Sequence, residues 1–130
     1  MKPKAIVFDL DWVLAELKPD SERNNHTGYE KPIKEMCEIF LEFPILERVV
    51  LTWRKSKYRS ITREWIDYNV WILYELIMQE WSQWEKNHIY KEKELIKLQE
   101  RYDIVAMVDD NDAMIPVCKK LWILLLTVNR

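Results

Sequence analysis

Two aspartates separated by one residue, Asp9 and Asp11, close a short apolar strand, Ala5-Ile6-Val7-Phe8. Strand side chains alternate faces, so carboxylates at i and i+2 point the same way. Open α/β sheets bind ligands just outside the carboxyl ends of their strands. The pair is therefore placed as a nucleophile beside an acid/base. Three further polar groups stand at strand or helix ends. Val49-Val50-Leu51 leads to Thr52 and Arg54, Val105-Ala106-Met107-Val108 leads to Asp109-Asp110-Asn111, and Lys91 opens the helix before that last strand. In a parallel sheet these ends converge on one edge, so four carboxylates, a hydroxyl and one or two cations share a crevice.

Carboxylates crowded in this way repel one another and must be paired, protonated or bound to a cation. An all-oxygen donor set favours Mg²⁺, which completes its shell with water and substrate phosphate oxygens. Zinc is not indicated, because His26 and His88 are isolated and Cys37 and Cys118 are far apart. The set suits phosphoryl transfer: an Asp nucleophile, a neighbouring Asp as general acid and base, and Thr and Lys to hold phosphoryl oxygens.

Strand-length apolar runs alternate with helical periods, the pattern of a parallel sheet covered by helices. The runs predict strands near 4–9, 47–52, 72–78, 103–109 and 122–128. Pro32 fits a first helical turn, with Ile33, Met36, Cys37, Phe40 and Leu41 on one face and Pro44 ending the helix. Tyr58, Ile61, Trp65 and Ile66 stripe a second helix, Leu95, Ile96 and Leu98 a third near 89–101, and a fourth runs from about 113 to 121. Right-handed crossovers then give a three-layer α/β/α, Rossmann-like fold: one doubly wound, five-stranded parallel sheet with its first strand central.

At 130 residues the chain is expected to form a single domain. Its 20 Lys and Arg nearly balance 22 Asp and Glu, so no global field draws it to nucleic acid or membrane. The longest apolar run, Leu121 to Val128, is well short of the roughly 20 residues that span a bilayer. No secretory leader precedes the first strand, so both cysteines are expected as reduced core thiols in a cytoplasmic protein. On the same ground the triplet Asn25-His26-Thr27 is read as a chance glycosylation match.

The order Asp-x-Asp-x-Val, strand-Thr, Lys, strand-Asp-Asp resembles the haloacid dehalogenase superfamily of phosphatases over essentially the whole chain. The stretch from Lys57 to Ile66, with Tyr102 to Asp110, looks like the 3′-phosphatase domain of phage-type polynucleotide kinases in particular. The resemblance implies that Asp9 forms an aspartyl-phosphate and that Asp11 protonates the leaving oxygen and later activates water. It implies that Asp9, Asp109 and the main-chain carbonyl of Asp11 hold Mg²⁺, with Asp110 supporting that shell. Thr52 would hydrogen-bond the phosphoryl group and Lys91 would neutralise it, although Lys86 and Lys93 stand close enough to exchange with Lys91 under a small shift in alignment.

Members of this superfamily select small substrates with cap domains inserted after the first or second motif. The corresponding intervals here leave no room for a large cap, so an open site is expected, suited to a polymeric substrate or covered by a homodimer partner. Arg54, Lys55, Lys57, Arg59 and Arg63 place five cations and no acid within ten residues beside that site. With Asn111 they form the expected substrate-binding edge, where Trp53 or Tyr58 would stack on a base. The favoured function is removal of 3′-phosphates from polynucleotide ends, alone or beside a separate kinase or ligase. Two alternatives are a phosphatase of nucleotides or other small esters and a non-catalytic module that binds phosphorylated ends.

One feature of the composition bears on activity. The chain holds one glycine, Gly28, and seven tryptophans, against an ordinary glycine share of about 7%. Trp12, Trp53, Trp71 and Trp122 stand where the superfamily ordinarily has glycine, and Trp81 falls where a loop glycine would also be ordinary. Such glycines permit positive φ or close approach to phosphate, and a residue with Cβ costs about 1–2 kcal/mol in the left-handed region. Either a codon read as glycine at its source is here translated as Trp, or the member is divergent and Trp12 and Trp53 obstruct the phosphate. Ordinary UGG codons at all four positions would exclude the first account.

Overall fold

The computed structural model describes residues 1–16, 30–43, 45–80 and 84–128. Pro44, Trp81, Gly28 and the Asn25-His26-Thr27 triplet lie outside the described residues. Five strands, β1 (Lys4–Phe8), β2 (Glu47–Lys55), β3 (Glu75–Gln79), β4 (Asp103–Val108) and β5 (Leu124–Leu126), form one all-parallel sheet in the order β3-β2-β1-β4-β5. Four α-helices connect them: α1 (Lys34–Leu41), α2 (Arg59–Asn69), α3 (Asn87–Arg101) and α4 (Met114–Leu121). The expected doubly wound α/β architecture with a central first strand is what the chain adopts.

Strand alternation divides the core in two. Ile6, Phe8 and Val50 pack with Cys37, Phe40, Trp65 and Ile66 of α1 and α2. Val7, Val49 and Leu51 face Tyr90, Leu95 and Leu98 of α3 and Met114, Val117 and Cys118 of α4. In β4 the parity shifts, because Ala5 pairs with Ile104 while Ile6 pairs with Ala106. Val105 is thus the extra residue of a bulge, and it lets Ile104 and Met107 share the α3/α4 side although three positions apart. Both cysteines are buried and unpaired, and burial pushes each thiol up to about 11. They are inert core residues.

Several element boundaries differ from expectation. Pro32 does not enter α1: residues 31–33 stay extended against the loop after Asp11, with Glu16 N–H donating to Lys31 O, Ile33 N–H to Leu14 O, and a bridge between Ala15 and Pro32. Strand β3 begins at Glu75 rather than 72, where its pairing with Val49 of β2 starts, and Leu73 is left exposed. Strand β2 runs on to Lys55, which keeps Trp53 and Arg54 within it. The C-terminus of α1 is held by Arg48, whose buried guanidinium donates to the carbonyls of Phe40, Leu41 and Leu46. These charged bonds satisfy carbonyls that a helix end leaves without partners. Arg48→Met should therefore lower unfolding free energy by about 2–3 kcal/mol in urea denaturation.

The fifth strand is shorter than expected because Trp122 closes α4. It adopts φ 61°, ψ 38°, its N–H reaches Lys119 O at 3.3 Å, and Ile123 N–H reaches Cys118 O at 2.9 Å. This is a Schellman end, with Ile123 and Cys118 both in the buried core on the α3/α4 side, at a position that glycine usually fills. Trp12, at φ 64°, is the other positive-φ non-glycine residue among the described residues. Trp53 and Trp71 are not in that region, so positive φ gives a reason for glycine at two of the four positions. Because Trp122 is 91% exposed, its indole recovers little by packing. Trp122→Gly should raise stability by about 1 kcal/mol, read as a melting temperature several degrees higher. A control at exposed Trp84 should show no gain.

Candidate active site

Adjacent central strands bring the carboxylates together. Phe8 pairs with Val108, so the next residues, Asp9 and Asp109, emerge side by side where the strand order reverses, the usual ligand crevice of such a sheet. Asp9 N–H donates to Val108 O at 2.9 Å and Asp109 N–H to Leu126 O at 3.1 Å, which fixes both backbones. Between the two carboxylates lies Lys91, entirely buried, with Nζ 2.7 Å from Asp109 Oδ2 and 3.1 Å from Asp9 Oδ1. Lys86 directly precedes α3 and is exposed, and Lys93 pairs with Glu85 at the surface. Among the three lysines, helix phase turns Lys91 toward the sheet.

The cluster carries more negative than positive charge in a buried place. Burial pushes the Asp9 carboxyl well above the usual range; Lys91 opposes the rise, while Asp109 and Asp11 add to it. For Lys91 burial favours the neutral amine, but Asp9 and Asp109 outweigh it and hold its pKa above the ordinary value. Asp9, Asp109 and Asp110 each offer a carboxylate oxygen, all within 4.8 Å of one another. Three converging carboxylate oxygens could hold a metal ion, and hard oxygen donors as a class favour small hard cations. Asp110 and Asn111 are half-buried at the rim. The Asn111 side chain accepts Ala113 N–H at 3.0 Å, so it shapes the turn into α4.

Thr52 and Arg54 correct two expectations. Strand β2 continues to Lys55 and includes both, with its register against β3 shifting between Leu51 and Lys55; Arg54 reaches Thr62 of α2, whereas the Trp53 indole reaches Glu85 before α3. Thr52 is buried, and its hydroxyl oxygen accepts Arg54 N–H at 3.2 Å. Arg54 does not belong to an exposed basic patch: it is buried and donates to both carboxylate oxygens of Asp11, NH2 to Oδ1 at 2.6 Å and Nε to Oδ2 at 3.1 Å. Asp11 itself is not placed by strand alternation, since β1 ends at Phe8 and a tight turn follows, with Trp12 N–H on Ala15 O. A run of cations reads as surface, and only the continuation of β2 through Arg54 signals that one of them is interior.

The other cations of the run follow Arg54 along the end of β2, the turn after it and α2. Lys57, Arg59 and Arg63 are exposed and Lys55 is half-buried. Lys57 lies over the Tyr58 ring, Arg63 over the Tyr74 ring, and Arg59 donates to Leu76 O. The Trp53 indole N–H donates to Glu85 O at 2.8 Å, tying it to the segment before α3. Among the described residues, no helix is long and apolar enough to cross a membrane.

No protein-family model and no curated protein sequence matches this chain significantly. Solved structures do. A chain of the Pnkp1/Rnl/Hen1 RNA repair complex superposes with TM-score 0.85 at 22% identity, covering 98% of this chain and 43% of that one. A second structure of the Pnkp1/Rnl/Hen1 complex gives TM-score 0.83 at 23% identity, covering 98% and 46%. The chain thus spans under half the length of those neighbours, and what it shares with them is the fold.

Proposed function

We propose that residues 1–130 form a Mg²⁺-dependent phosphatase domain of the haloacid dehalogenase type that removes 3′-phosphates from polynucleotide ends. The observation that carries this reading is the buried Asp9-Lys91-Asp109 cluster with Asp110 beside it, at the strand edge next to Asp11. Leu10 N–H and Lys91 both engage Oδ1 of Asp9, which leaves Oδ2 to attack phosphorus. As the Oδ2–P bond forms and the ester P–O bond breaks, Asp11 delivers its proton to the departing sugar oxygen. Asp11 then takes a proton from water, which attacks phosphorus, breaks the Oδ2–P bond and frees phosphate.

Thr52 accepts from Arg54 N–H, so its own hydroxyl hydrogen can be donated to a phosphoryl oxygen. Lys91 keeps Asp9 oriented and counters its burial. When bound, Mg²⁺ would be held by Asp9, Asp109 and Asp110 with the Asp11 carbonyl and would offset the charge of the phosphoryl oxygens. The fold neighbours' place in an RNA repair complex supports a polynucleotide end as substrate and a role beside other end-repair proteins.

Lys57, Arg59 and Arg63 would track the strand backbone, with Lys55 nearer the site. Binding through about three phosphates makes turnover salt-dependent, with a log–log slope near −2 for a single strand. Raising salt from about 50 to 200 mM should lower kcat/KM for a 3′-phosphorylated oligonucleotide by about tenfold or more, and far less for a 3′-mononucleotide. Equal salt responses would refute the polynucleotide part of the proposal and favour a small-ester phosphatase.

A further inference from the structure

We infer that Arg54 is a positioning residue for Asp11: it fixes the plane of the carboxyl group and stabilises the carboxylate that forms as the Asp11 proton passes to the leaving oxygen, an inference that rests on the phosphatase reading above. Four contacts fix its guanidinium. Nε and NH2 grip the two oxygens of Asp11 at 3.1 and 2.6 Å, NH1 donates to Thr62 Oγ1 at 3.2 Å, and Glu30 Oε1 lies 3.5 Å from NH2. Thr62 is fully buried within α2, so the fork is anchored to a rigid element and not merely to the carboxylate it holds. The side chain of Arg54 is 2% exposed, whereas that of Asp11 is 20% exposed. The cation is thus more deeply buried than the carboxylate that it holds.

This geometry separates Arg54 from a phosphate-binding arginine. A substrate clamp must present its donors to the ligand, but here Nε, NH1 and NH2 all have protein partners. Two-point pairing fixes the plane of the carboxylate as well as its place, which one lysine ammonium cannot do. Such orientation matters because Asp11 follows the end of β1 and lies in a turn, where the strand no longer holds it. Thr52 and Arg54 are also joined directly, since Arg54 N–H donates to Thr52 Oγ1, so the end of β2 supplies both this hydroxyl and the support of Asp11.

The test exploits leaving-group chemistry. Expulsion of a sugar hydroxyl requires a proton, whereas p-nitrophenolate departs without one, and kcat/KM reports steps up to this departure. With Arg54→Gln, kcat/KM for a 3′-phosphorylated oligonucleotide should fall about 10²–10³-fold and that for p-nitrophenyl phosphate less than about tenfold. Arg54→Lys should fail to restore the first rate, and Arg54→Gln combined with Asp11→Asn should cost no more than Asp11→Asn alone. Equal losses on both substrates would overturn the inference, since they would mean that Arg54 acts on the phosphate or on the fold.

A second measurement needs no turnover. The Arg54 Nε–H should give a slowly exchanging NMR signal in the wild type and in Asp9→Asn, lost or strongly shifted in Asp11→Asn. A signal indifferent to Asp11→Asn would also overturn it. If the wild type releases no phosphate from any ester, the phosphatase reading fails, and the NMR signal still decides whether Arg54 holds Asp11.

Discussion

Asp9→Asn should abolish phosphate release, by on the order of 10⁴-fold or more, and at the same time make the metal-free protein more stable. The first effect follows because an amide cannot attack phosphorus and form the covalent intermediate. The second follows from burial. The ionised Asp9 carboxylate is disfavoured by desolvation and by Asp109 and Asp11, and Lys91 compensates only in part. Asparagine removes that charge, preserves an oxygen for Leu10 N–H, and leaves Lys91 paired to Asp109. The melting temperature at neutral pH without metal should therefore rise. A fall would mean that the Asp9 charge supports the fold and that stability and function do not compete at this residue.

Lys91→Met should have the largest effect on the fold itself. It removes the cation from between two buried carboxylates, and an uncompensated buried charge typically costs about 3–5 kcal/mol, against a total stability of about 5–15 kcal/mol for such a domain. The loss should depend on pH. The folded-state pKa of Asp9 lies above its ordinary value of 3.8, so between these limits the native state holds more protons than the unfolded one, and stability falls as pH rises. Without Lys91 this slope should steepen: the variant is nearest to wild type in acid and weakest at neutral pH. Added Mg²⁺ should recover part of the deficit, measured as a rise in melting temperature that Asp109→Asn suppresses. A variant as stable as wild type across this range would show that Lys91 does not carry the charge balance.

Much of this arrangement is legible in the chain. The apolar runs before Asp9, Thr52 and Asp109 give the strands, and the parallel arrangement then forces those residues onto one edge. The choice of Lys91 over Lys86 and Lys93 depends on the phase of α3 against the sheet, which the sparse Leu95 and Leu98 stripe sets only loosely. Arg54 is hidden for a different reason: its neighbours are exposed cations, and its burial is visible only once β2 is known to continue to Lys55. The relation of Asp11 to Asp9 comes from a turn that starts one residue earlier than the apolar run suggests. At Trp12 and Trp122 the pattern of the sequence and the backbone agree, since both positions adopt the conformation that glycine tolerates best. Trp12→Gly should consequently relieve strain beside Asp11, and a gain in turnover from that change would identify the indole as an obstruction.

The most direct test of the central claim is inorganic phosphate release from a 3′-phosphorylated oligonucleotide, with and without Mg²⁺, using Asp9→Asn as the blank. The account predicts release that requires both the metal and Asp9. Release that persists in Asp9→Asn, or binding of the 3′-phosphorylated end by folded wild type with no release in Mg²⁺, would contradict it.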